Sequence, residues 1–158
     1  MGPAKWHIAR GIARVTALRQ SQAMTPTPPF DSPDVAAAFA RFPDAARPGI
    51  MALRAQIFAV AADIPSVGPV QETLKWGQPA YLTPTTRAGS TLRLGVPKSG
   101  GYAIFAHCQT TIIADFRALF GSDFTYDGNR AVVFDGAIPP DPDKLRILIA
   151  SALTYHLK

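Results

Sequence analysis

The sequence predicts an α+β domain in which an antiparallel β-sheet packs one face against helices, with a helical hairpin first and a C-terminal helix last. Three observations predict it. Apolar residues recur at spacings of three and four between prolines over 33–43 and 48–65. The period then falls to two over 91–96 and 102–108, and helical spacing returns twice further on.

Each element has a local reason. Ser32 is a good N-cap and Pro33 fits the first helical position; Val35, Ala38, Phe39 and Phe42 make one stripe, and Pro43 stops it. A second helix begins near Pro48, carries Ile50, Leu53, Ile57, Val60 and Ile64 on one side, and ends at Pro65. Ala80–Thr83 reads as a short strand. Thr91–Val96 alternates as a half-buried strand, Pro97-Lys-Ser-Gly-Gly101 is a turn, and Tyr102–Cys108 is the antiparallel return. Thr110 or Thr111 caps a helix with Ile112, Phe116, Leu119 and Phe120 on one face and Gly121 at its end. Phe124–Tyr126 and Arg130–Phe134 flank a turn at Asp127-Gly-Asn129, and Asp141-Pro142-Asp143 opens a last helix running to about His156.

Length and composition bound the class. A chain of 158 residues suits one domain, and it is long enough to fold without disulfide or metal. No apolar run approaches the roughly 18 residues of a membrane span. The single cysteine, Cys108, excludes an internal disulfide and points to a reducing, cytoplasmic setting. The net charge of +5 is unevenly placed: residues 1–30 carry Lys5, Arg10, Arg14 and Arg19 and no acid, whereas residues 31–158 carry 12 basic and 11 acidic side chains. Residues 1–30 thus read as a basic, proline-rich flexible tail, and residues 31–158 as the domain. Met24, just before Thr25-Pro-Thr-Pro-Pro29, is an alternative start. Because the basic excess lies in the tail, a nucleic-acid partner is not expected.

The segment Glu72-Thr-Leu-Lys-Trp-Gly-Gln-Pro-Ala-Tyr81 places a carboxylate, two amphipathic rings and a proline break within ten residues. Pro79 lacks an amide donor and biases Gln78 to extended backbone, so the segment reads as the wall of a groove lined by Trp76 and Tyr81. Glu72, Lys75, Gln78, His107 and Arg130 are its polar candidates. The expected ligand is a small molecule or a protein partner, and a homodimer fits the same reading. Trp76 and Tyr81 as ordinary core residues is the competing one.

Two other chemistries were open. His107 and Cys108 are metal-ligand types, with His156 in reserve, but strand neighbours point to opposite faces; no metal site and no cofactor is expected. Glu72 and His107 are the candidates for acid–base work. Phosphate-loop, dinucleotide, serine-hydrolase and zinc-protease motifs are absent from the sequence.

The pattern Glu72-x-x-x-Trp76-Gly77-x-Pro79-x-Tyr81 resembles the signature of the DUF1801 (YdhG-like) family. Phe105-Ala-His-Cys-Gln-Thr110, Gly128-Asn-Arg-Ala-Val-Val-Phe134 and Ala152-Leu-Thr-Tyr-His156 look like its later blocks, and the likeness covers about residues 33–157. The resemblance implies a compact α+β domain. For some relatives it also implies iron or zinc handling of frataxin type, which depends on a ridge of surface carboxylates; this chain has one glutamate.

Overall fold

A computed structural model describes residues 27–157, and the readings of the basic tail and of Met24 fall outside or at the edge of that range. Helix α1 (Pro33–Arg41) and helix α2 (Arg47–Asp63) form the opening hairpin. Ser32 caps α1 through its hydroxyl, which accepts from the amides of Asp34 and Val35 at 3.2 and 3.5 Å. Phe30, assigned to the tail by sequence, packs its ring against Phe39 with centroids 5.0 Å apart. The folded body therefore starts before residue 31.

Six strands follow: β1 (Gln71–Lys75), β2 (Gln78–Leu82), β3 (Leu92–Gly95), β4 (Tyr102–Ala106), β5 (Thr125–Asp127) and β6 (Ala131–Phe134). They form one sheet, antiparallel throughout, in the order β1-β2-β3-β4-β6-β5. Helix α3 (Ile112–Phe120) separates β4 from the β5–β6 hairpin, and α4 (Pro142–Leu153) closes the body. The helices cover one face of the sheet. There, alternate strand residues Tyr81, Leu92, Leu94, Tyr102, Ile104, Val132 and Phe134 join Ile50, Leu53, Ile57, Phe116, Leu148 and Ile149 in one core. On the opposite face, among the described residues, lies a small cluster of Ala103, Phe105 and Ala131, with Val133 against it.

The structure corrects three local expectations. The region before Tyr81 is a tight hairpin of two strands, with Glu72 paired to Tyr81 and Lys75 to Gln78 across a two-residue turn. Trp76 and Gly77 have φ of 57° and 76°, the positive values that such hairpin turns require. Pro79 is no break: amides along a strand point alternately to either side, so its donorless nitrogen faces away from β1 once Gln78 closes the turn. In α3, Leu119 is 66% exposed and Ile113 takes its place in the core. The last helix stops at Leu153; His156 lies in an exposed 3-10 turn, where its amide donates to the Ala88 carbonyl at 2.8 Å.

Candidate functional site

The hairpin decides where the predicted site residues go. Two-residue turns put Glu72 and Tyr81 on the same face as direct cross-strand neighbours, and that face is the helix-covered one. Arg54 of α2 meets them there. Its Nε and Nη2 donate to Glu72 Oε2 and Oε1 at 2.6 and 2.9 Å, and the Tyr81 hydroxyl donates to Oε2 at 2.7 Å. The Arg54 and Glu72 side chains are 3% and 5% exposed. The guanidinium is sandwiched by aromatic rings, with Phe30 at 4.3 Å and Phe58 at 5.1 Å from their centroids. A forked pair with its carboxylate this well satisfied is a structural clamp between α2 and the edge hairpin.

This arrangement overturns the shared groove. Tyr81 is sealed in the core, whereas Trp76 is 88% exposed at the hairpin tip, so the two rings line no common wall. Acid–base work by Glu72 and His107 fails on the same ground. Glu72 stands in register with Tyr81, Leu92 and Ala106 across three strand steps, each about 4.8 Å, and it faces inward. His107 is exposed beyond the end of β4, its Nδ1 accepting from the Gln109 amide at 3.1 Å. Cys108 is also exposed, in that turn and not in the strand. Among the described residues, no group of three or more His, Cys, Asp or Glu side chains lies together that could hold a metal.

Burial sets the ionisation of the inward tyrosines. Desolvation lifts the Tyr81 phenol far above its usual value, and the Glu72 carboxylate that it bonds adds to the effect. Tyr102 is pushed up to about 12 by burial alone. Both values are raised in the folded state, so the folded protein keeps protons that the unfolded chain gives up. Their contribution is complete below the unfolded phenol value of about 10 and drains away as pH climbs above it. The melting temperature is expected to fall steeply above about pH 10, with late tyrosinate absorbance rising in step with unfolding. A midpoint level to about pH 11 would contradict this reading of the two rings.

Gln78 and Arg130 do come together, on the open face. The register Ala80 to Arg93 sets Gln78 level with Gly95, and the Gln78 amide lies over that glycine; a Cβ at 95 would sit 2.5 Å from Gln78 Nε2. Arg93 projects beside it, donating from Nη1 to Gln78 Oε1 at 2.8 Å with its guanidinium 5.5 Å from the Phe105 centroid. That bond orients the amide and leaves Nε2 as its donor. Asp127 holds Arg130 through Nε and Nη2, at 3.0 and 2.9 Å. These groups and Lys98 surround a hollow of about 480 Å³. Lys75, the cross-strand neighbour of Gln78 on the same face, stands exposed beyond it.

Two other hollows are poorer in polar groups. Among the described residues, the one of about 510 Å³ beside Tyr102 has Asp135 as its single charged side chain, and the one of about 420 Å³ beside Phe58 has Asp31. Sites for small molecules combine apolar walls with a few polar groups, which favours the open-face hollow over these two; a smaller one of about 240 Å³ is lined by Arg87 and His156. Arg93, Lys98 and Phe105 were not on the sequence list. Strand alternation places Arg93 and Phe105 on the face opposite Leu92 and Ile104, and was the signal for them. Compared with protein-family models, with curated proteins and with solved structures, the chain matches none.

Proposed function

We propose that this protein is a binding module whose ligand is an anion seated in the hollow on the open face of the sheet. One observation carries the reading: Arg93, Lys98 and Arg130 line one hollow, with Asp127 as the single carboxylate there among the described residues. Gln78 pins Arg93 and packing against Phe105 stiffens it, so little side-chain freedom is lost on binding. Kinship with the DUF1801 family, on the motif Glu72–Tyr81, belongs to the same proposal, as does a cytoplasmic setting suited to the exposed thiol of Cys108.

The binding test uses inorganic pyrophosphate in low salt. Calorimetry should show saturable binding that weakens at least about tenfold in Arg93→Gln and weakens further as salt is raised. The variant's melting temperature should stay close to the parent's, because the side chain lies on the open face. Absence of saturable heat with the parent protein, or equal affinity in Arg93→Gln, would remove the proposal.

A further inference from the structure

Charge and shape narrow the class of anion, granted that the hollow is an anion site. Among the described residues, three cationic side chains and one carboxylate surround it, leaving two unit positive charges unmatched: Arg93, Lys98 and Arg130 against Asp127. A carboxylate or a sulfate ester brings one negative charge. A phosphomonoester brings about two at neutral pH, with three acceptor oxygens for the forked and ammonium donors. The volume of about 480 Å³ is far more than a phosphate group fills. Val96 and Pro97 supply an apolar wall beside the charged one, and the ring of Phe105 lies at the base. We infer that the ligand is an organic phosphomonoester, its phosphate held by Arg93, Lys98 and Arg130 and its carbon body lying along Val96 and Pro97.

The geometry assigns distinct roles. Arg93 keeps Nε and Nη2 beyond the Nη1 used on Gln78, a pair of parallel donors that suits two phosphate oxygens. Gln78 Nε2 is a further donor at the same hollow. Arg130 reaches the hollow already bonded to Asp127, which fixes its position and lowers its share of the attraction. Among the described residues no histidine lines the hollow, so between pH 5 and 7.5 the ligand is the group expected to change charge.

The experiment compares phenyl phosphate, phenyl sulfate and inorganic pyrophosphate by calorimetry on the full chain at constant low ionic strength. Phenyl phosphate should bind about tenfold tighter than phenyl sulfate at pH 7.5, since the two share one body and differ by one charge. That preference should shrink to about twofold at pH 5, where the phosphate monoester is mostly a monoanion. Arg93→Gln should abolish the preference, and Val96→Ser should weaken phenyl phosphate without affecting pyrophosphate. Equal binding of the two phenyl esters at pH 7.5, or a preference that persists at pH 5, overturns the phosphomonoester assignment and leaves an anion site of another class. Pyrophosphate affinity matching that of phenyl phosphate overturns the organic body. Failure of pyrophosphate to bind overturns the anion site itself.

Discussion

Arg54→Ala is expected to cost about 3–5 kcal/mol, because it strands the Glu72 carboxylate in the core with only the Tyr81 hydroxyl for company. Folded domains are stable by only about 5–15 kcal/mol, so the variant should be mostly unfolded at modest urea concentration. Arg54→Lys should recover little. An ammonium cannot make the two parallel bonds at 2.6 and 2.9 Å, nor stack its plane on Phe30. The informative partner is the triple replacement Arg54→Met, Glu72→Leu, Tyr81→Phe. It removes both charges and the hydroxyl together and should return to within about 1–2 kcal/mol of the parent, or exceed it. Denaturant titration checks both arms. An Arg54→Ala protein as stable as its parent would mean that water, and not the arginine, satisfies that carboxylate.

The second large effect runs against helix propensity. Glycine inside a helix is normally worse than alanine by about 0.5–1 kcal/mol. Gly49 lies in α2 over the ring of Tyr102, where an added Cβ would fall 2.1 Å from Cζ and 2.4 Å from the hydroxyl oxygen. The ring cannot swing away, being 1% exposed and stacked on Phe134 with centroids 5.3 Å apart. Gly49→Ala is therefore expected to destabilise by about 1–3 kcal/mol or more. Tyr102→Phe should not rescue it, since the Cζ contact remains, whereas Tyr102→Leu should recover much of the loss in that background. Tyr102→Phe alone should be neutral or stabilising, because the Tyr102 hydroxyl is buried without a hydrogen-bond partner among the described residues. A Gly49→Ala protein that melts higher than its parent would show that α2 and the sheet can move apart at no cost.

The helices and most strands were legible because their signals are local. Ser32-Pro33 and Asp141-Pro142 mark the starts of α1 and α4, and the apolar spacing of Ile50, Leu53 and Ile57 marks the buried face of α2. The hairpin at Trp76 was not, because a tryptophan at the first central turn position hides the Gly77 that follows it. Once the turn is centred there, Glu72 must face Tyr81, and the rest of the clamp follows. Arg54 lies four residues after Ile50 on an apolar helix face, and such a cation needs a buried carboxylate; Glu72 is the one glutamate in the chain. The strand order was beyond reach, since β6 and not β5 pairs with β4, a long-range pairing that no local signal marks. The hollow needed that order too: Arg130 and Asp127 meet Arg93 only because the β5–β6 hairpin docks beside β4.

Trp76 carries a practical consequence. An indole that already stands in water gains little polarity when the chain unfolds, so its emission is a poor gauge of folding and a sensitive gauge of contact. Anything that covers the hairpin tip should dry the ring and shift its light to the blue. The chain has one other tryptophan, Trp6, so a Trp6→Phe protein would carry a single built-in fluorescent reporter, sited at one end of the sheet and tuned to what docks there.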